Sequence, residues 1–175
     1  MTTRDPHLAA ARYVRDNGGE LVGRTRLQKV AYLTQLAGLA PQEFDFEYKQ
    51  FGPYSQDLAT GMEIATALEV VTEVERPTSW GGFYSTFRAP RDPAAPVSAD
   101  RERFVQLAAR MDPVEIELAA TAAFLFVRKG IAEPWHETAL HKPAKAEAGR
   151  LEKAKKAYTT LRSATGDRLP ALPQG

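Results

Sequence analysis

Val70-Val71-Thr72-Glu73-Val74 and Phe83-Tyr84-Ser85-Thr86-Phe87 are two β-branched and aromatic runs, separated by a loop from Pro77 to Gly82. Such runs on either side of a Gly-containing loop predict a β-hairpin. What precedes the hairpin decides how it is used. Ser55 stands ahead of Leu58, Met62, Ala65 and Leu68 at helical spacing, so it predicts the N-cap of a helix over 56–68. Upstream, Phe44-Asp45-Phe46-Glu47-Tyr48-Lys49-Gln50-Phe51 alternates aromatic with polar residues, which predicts a half-buried strand over 44–51. Gly52-Pro53-Tyr54-Ser55 then reads as a turn.

Two helices come first. Asp5-Pro6 predicts an N-cap with proline at the first helical position, and Gly18-Gly19 a stop. Thr25 and Gln28 form a capping-box pair for the second helix, which carries Leu27, Val30, Ala31, Leu33 and Leu36 and ends near Gly38. Helix-helix-strand-strand is the order of a winged helix, here with an extra strand between the second and third helices. After the hairpin, Pro90, Pro93 and Pro96 predict a surface linker over 89–97. The rest reads as helical: Ser98 and Asp112-Pro113 open helices, and Leu118 to Val127 is apolar on nearly every side and so buried. Glu133-Pro134 opens a short helix, Lys142-Pro143 interrupts, and an amphipathic helix follows through Leu151, Ala154, Tyr158 and Leu161. The expectation is a mainly helical α+β protein: a winged-helix-like part over 1–88 with a small three-stranded antiparallel sheet, the linker 89–97, helices over 98–163 on the same core, and a frayed tail over 164–175.

The 175 residues suit one domain, and 43% hydrophobic content suffices for a core. The chain has no cysteine, which excludes disulfides, thiol nucleophiles and cysteine-based metal sites. No stretch has the length of a membrane span, and Arg and Asp interrupt the apolar pattern of the first residues, so a soluble cytoplasmic protein is expected. A net charge of +1 conceals segregation: +3 over 1–40, −7 over 41–75, zero over 76–141 and +5 over 142–162.

Catalytic patterns fail on spacing. His136-Glu137 followed by His141 lacks zinc-helix spacing: the second histidine is at i+5, rotated by about 140°. Asp45 and Glu47, about 7 Å apart on one strand face, read as a solvated face rather than a glycosidase pair. Ser55 lacks a nucleophile elbow's glycines, and no phosphate or dinucleotide loop occurs. The expectation is a non-enzymatic chain without metal or cofactor.

Two segments in order carry more information: Arg24-Thr25-Arg26-Leu27-Gln28-Lys29-Val30-Ala31-Tyr32-Leu33, and Phe51-Gly52-Pro53-Tyr54-Ser55. The pairing resembles the Panacea (SocA-like) antitoxin domains and the related YwgA-like proteins. There a Leu-Gln-Lys-x-x-Tyr-Leu helix, matched by Leu27, Gln28, Lys29, Tyr32 and Leu33, precedes an aromatic-Gly-Pro-Tyr-Ser turn. A similar pairing occurs in the C-terminal domain of macrodomain antitoxins that restrain DNA-modifying ADP-ribosyltransferase toxins. The resemblance covers roughly residues 8–88. It departs at Ala67-Leu68-Glu69-Val70, where the family often has glycine. It implies an interaction role, and so an antitoxin-like protein whose partner is a toxin encoded nearby.

The residues themselves read two ways. Gly52, Pro53 and Ser55 suit a strand-to-helix junction, while Tyr54, a polar-tipped aromatic, suits a contact. Arg24, Arg26, Lys29 and Gln35 fall outside the apolar face of the second helix, leaving them for solvent or a partner. Tyr54, Asp57 and Glu63 in the acidic block are candidate contacts to the basic cleft of a nucleic-acid-directed toxin. The alternative is a winged-helix DNA-binding regulator. Its recognition helix, 56–68, holds Asp57 and Glu63 and no Lys or Arg, and the wing offers only Arg76 and Arg88, which disfavours DNA there. The basic final helix, with Lys145, Arg150, Lys153, Lys155 and Lys156, is the other nucleic-acid candidate. The acidic block and the basic helix also suit pairing with each other, within one chain or across a homodimer.

Overall fold

The computed structural model describes residues 5–175, and Arg4 of the first basic block lies outside them. The chain runs α1 Pro6–Asp16, β1 Glu20–Val22, α2 Arg24–Leu36, β2 Glu47–Lys49, β3 Gly52–Tyr54, α3 Gln56–Ala67, β4 Thr72–Pro77 and β5 Phe83–Arg88. Five helices follow: α4 Ala99–Ala109, α5 Pro113–Lys129, α6 Pro134–His141, α7 Pro143–Ala146 and α8 Arg150–Ala164. The architecture is mixed α+β and mainly helical, with one three-stranded antiparallel sheet, as the sequence predicts.

The strands of that sheet differ from those expected. Its order is β1-β5-β4, with Leu21 opposite Phe87 and Val74 opposite Thr86. The segment 44–51 is not part of it. Phe44 and Phe46 are buried as their alternation requires, but a side chain rather than a strand satisfies the backbone of Phe44: Gln35 accepts from its N–H at 3.0 Å and donates to its carbonyl at 2.9 Å. Only Glu47–Lys49 is a strand, and it pairs with Gly52–Tyr54, so Gly-Pro-Tyr is the return strand of a tight hairpin rather than a turn. The third strand of the main sheet is Glu20-Leu21-Val22, too short to display a period. With β1 in place, helix-strand-helix-helix-strand-strand is the winged-helix order, and β2–β3 is an insertion between α2 and α3.

The caps are mixed. Ser55 Oγ accepts from Leu58 N–H at 3.3 Å, and Asp112 caps α5 through Val114 and Glu115. The Thr25–Gln28 capping box does not form: α2 starts after Gly23, and Gln28 turns away to another partner. At the end of α3, Glu69 takes a left-handed φ of 58°, and Val70 N–H bonds back to Ala65 at 2.9 Å. That closure is the one glycine favours, here made by Glu69.

α5 is the hub of the C-terminal layer, packing against α2, β3, α6 and α8, which explains why Leu118 to Leu125 are all buried. The frayed tail is overturned. Leu169 and Leu172 sit in the core, Tyr158 donates its hydroxyl to the Pro170 carbonyl at 2.6 Å, and Arg162 holds the Leu169 carbonyl at 2.9 Å. A tail rich in Pro and Gly gives no periodic signal, yet two leucines suffice to dock it.

Candidate functional site

The two motif segments meet. The side-chain amide of Gln28 on α2 accepts from Ser55 N–H at 2.8 Å and donates to Ser55 C=O at 2.9 Å, pairing both backbone groups where β3 gives way to α3. At the next residue, Lys29 Nζ donates to the Pro53 carbonyl at 2.8 Å. Proline has no N–H, so this carbonyl is the only backbone hydrogen-bonding group of that residue.

Several expected partner residues are therefore part of the frame. Lys29 is only 1% exposed, and Gln35 is buried on Phe44; neither reaches solvent. The physical reason is that α2 is enclosed on nearly all sides, with every residue from Leu27 to Gln35 buried, so its polar residues must find backbone partners inside. Arg26 is a staple as well, donating to the carbonyls of Val22 at 3.1 Å and Met111 at 3.3 Å, with burial lowering its pKa. Tyr32 is core, its ring 5.3 Å from Phe46 and 5.7 Å from Phe124, and burial raises its hydroxyl pKa.

Behind the hairpin lies an ionic cluster. Glu117 on α5 accepts from Lys142 at 2.8 Å and Lys145 at 2.8 Å, and Lys142 also donates to the Gln50 carbonyl at 2.9 Å. Burial depresses the pKa of Lys29 to about 7, an effect that Glu117 opposes and Lys142 and Lys145 reinforce. Gly52, with φ 89°, crosses directly over Thr121; a methyl group there would collide with Thr121 Oγ1. The basic segment thus pairs with Glu117, and no ion pair among the described residues joins α8 to the acidic block 41–75.

On the other side the junction borders a groove of about 250 Å³. Leu27, Met62 and Phe87 supply apolar surface, Phe51 and Tyr54 aromatic surface, and Glu63 lies at its margin. Tyr54 is half-buried beneath Lys49, whose Nζ is 4.7 Å from the ring centre. Phe51 is 46% exposed, with Lys145 4.8 Å from its ring centre. Arg24 is held against the wing: its Nε lies 2.9 Å from Glu73, which also accepts from Ser85 at 2.6 Å. Arg24, Tyr54 and Glu63 are thus brought together. Asp57 is exposed in the first turn of α3, where it also favours the helix dipole.

The nucleic-acid candidates lie elsewhere. Arg150, Lys153 and Lys156 are exposed along α8, whereas Lys155 binds Glu152 at 3.0 Å and the Gln174 carbonyl at 2.9 Å, and Lys145 belongs to the Glu117 cluster. Of the histidines, His141 bonds Tyr48 at 2.8 Å and Glu137 at 3.1 Å.

No protein-family model matches the chain, and no curated protein matches its sequence significantly. Glu73 and Glu117 were not legible as site residues. Glu73 sits in a strand whose alternation marks it only as polar, and Glu117 opens the apolar run of α5 with its partners 25 and 28 residues away.

Proposed function

We propose that this chain is a non-enzymatic, antitoxin-like protein-binding module, and that the groove between α2, the β2–β3 hairpin and the wing receives its partner. One observation carries the reading. Gln28, Lys29, Pro53 and Ser55 are consumed in fixing the junction, and the residues they leave over, Arg24, Phe51, Tyr54 and Glu63, border a single open groove. A rigid frame presenting half-exposed aromatics is how a binding hot spot is built. The resemblance to Panacea and YwgA-like domains rests on the same residues.

The partner is a basic protein surface, such as the nucleic-acid cleft of a toxin encoded nearby. The face a winged helix turns to DNA is here acidic: α3 exposes Asp57 and Glu63, and the wing carries Glu73 and Glu75. The setting we assign is the cytoplasm, on the cysteine-free composition; no helix among the described residues is long and apolar enough to cross a membrane. Co-expression tests the reading: the chain should relieve the toxicity of a neighbouring gene product and copurify with it, and Tyr54→Ala should lose both. If no neighbour is toxic and nothing copurifies, the reading fails. The winged-helix order favours a second reading, a DNA-binding regulator acting through Arg150, Lys153 and Lys156. It requires a sequence-specific, salt-dependent gel shift with the chain's own promoter that charge reversal of these three residues abolishes.

A further inference from the structure

The tip of the wing carries apolar surface that nothing among the described residues covers. Trp80 is 84% exposed and Phe83 73% exposed. Two large aromatics at the end of a hairpin are not scattered surface residues but a patch awaiting a contact. The groove is the converse: its volume of about 250 Å³ is below the range of ordinary ligand pockets, and it suits one or two inserted side chains.

The two features cannot meet within one copy. Phe83, Ser85 and Phe87 alternate onto one face of β5, and Phe87 borders the groove. At about 3.3 Å per residue, Phe83 lies some 13 Å along the strand from Phe87, and Trp80 lies beyond it. The pairing of Thr72–Pro77 with Phe83–Arg88 puts the tip at the far end of the hairpin from Phe87, which borders the groove.

We propose that the groove is filled by the wing tip of a second copy of this chain, in a two-fold dimer where each copy inserts Trp80 and Phe83 into the other. Phe83 shares its strand face with Phe87, which borders the groove, and reciprocal insertion of two such wings closes with one two-fold operation. Aromatic side chains bury about 150–250 Å² each. Four of them, with the groove surface they cover, amount to about 1,200–2,000 Å², the size of a stable interface. The charges suit: Arg76 on the wing has no ion pair among the described residues, and neither do Asp57 and Glu63 beside the groove. This inference rests on reading the groove as a protein-docking site, and it gives that site a regulator: the dimer masks the groove until the partner displaces it.

Sedimentation velocity on the purified chain, with acrylamide quenching on the same samples, tests the proposal without any partner. The chain has two tryptophans, and Trp135 is buried, so quenching reports Trp80. The wild type should dimerise in the micromolar range or tighter, and quenching should fall in step with dimer formation. Trp80→Ala should weaken the dimer about thirtyfold or more, at an exposed position where folding is unaffected. Ala59→Arg, which fills the groove from α3, should do the same. A wild type that stays monomeric up to several hundred micromolar, or a dimer in which Trp80 remains fully quenchable, overturns the proposal. Partner capture separates the two readings: Trp80→Ala should retain it, and Tyr54→Ala should lose it.

Discussion

Replacing Lys29 with Met should remove a specific pH dependence from the stability of the protein. In the native state burial lowers the Lys29 pKa from 10.5 to about 7. The folded pKa lies below the unfolded one, so between these values the unfolded chain binds more protons, and stability rises with pH. From pH 7 to pH 9 the native amine passes from half-protonated to neutral while the unfolded lysine stays charged. At about 1.4 kcal/mol per pH unit, allowing for the half-protonated start, the gain is about 2 kcal/mol. Urea unfolding followed by the fluorescence of buried Trp135 measures it. The window ends at pH 9 because Tyr13, Tyr32 and Tyr158, whose pKa values burial raises, add an opposite dependence once their unfolded counterparts ionise. Every other group titrates in both proteins, so the difference between wild type and Lys29→Met isolates Lys29. Met keeps most of the stem volume and leaves the Pro53 carbonyl unpaired at every pH, which shifts both points alike. Parallel stability–pH curves for the two proteins would refute the buried, desolvated ammonium and with it the tight α2–β3 seal.

Further predictions concern the frame. Gln28→Ala strands the buried N–H of Ser55, whose C=O keeps its bond from Ala59 N–H, and should cost about 1–3 kcal/mol. Ser55→Ala removes only the cap and should cost about 1 kcal/mol; denaturant midpoints compare the two. Glu69→Gly relieves a left-handed backbone and should stabilise by about 0.5–1 kcal/mol, visible as a raised Tm. Truncation after Arg168 removes buried Leu169 and Leu172 and should cost about 3 kcal/mol by calorimetry, whereas a frayed tail would cost nothing.

Local chemistry was legible where a residue acts on its own neighbours. Ser55 caps α3, Asp112 caps α5, and the aromatic runs of the wing form the hairpin, because each signal lies within a few residues of its effect. Periodicity failed at Lys29 and Gln35. It equates polarity with exposure, and α2 is wrapped by the sheet, the hairpin and the C-terminal helices, so its polar residues serve buried backbone. The same limit hid Glu117, whose lysine partners come from the end of α6 and from α7. β1 was missed because three residues carry no period, and their strand state follows from pairing with β5, more than sixty residues away. Of the candidate contacts, Arg24, Tyr54 and Glu63 meet at the groove. Charge segregation marked its acidic side but not that Glu73 holds Arg24 there.

Docking of another protein at the groove beside the Gln28–Ser55 junction, as proposed, is open to a direct test. A photo-crosslinking amino acid at Phe51, 46% exposed at the groove, tests it in the native host, with the same group at Val127 on α5 as control. One dominant adduct with a protein other than the chain itself is expected, obtained from position 51, absent from 127 and lost with Tyr54→Ala. No such adduct, self-adducts alone, or the same adduct from both positions would contradict it.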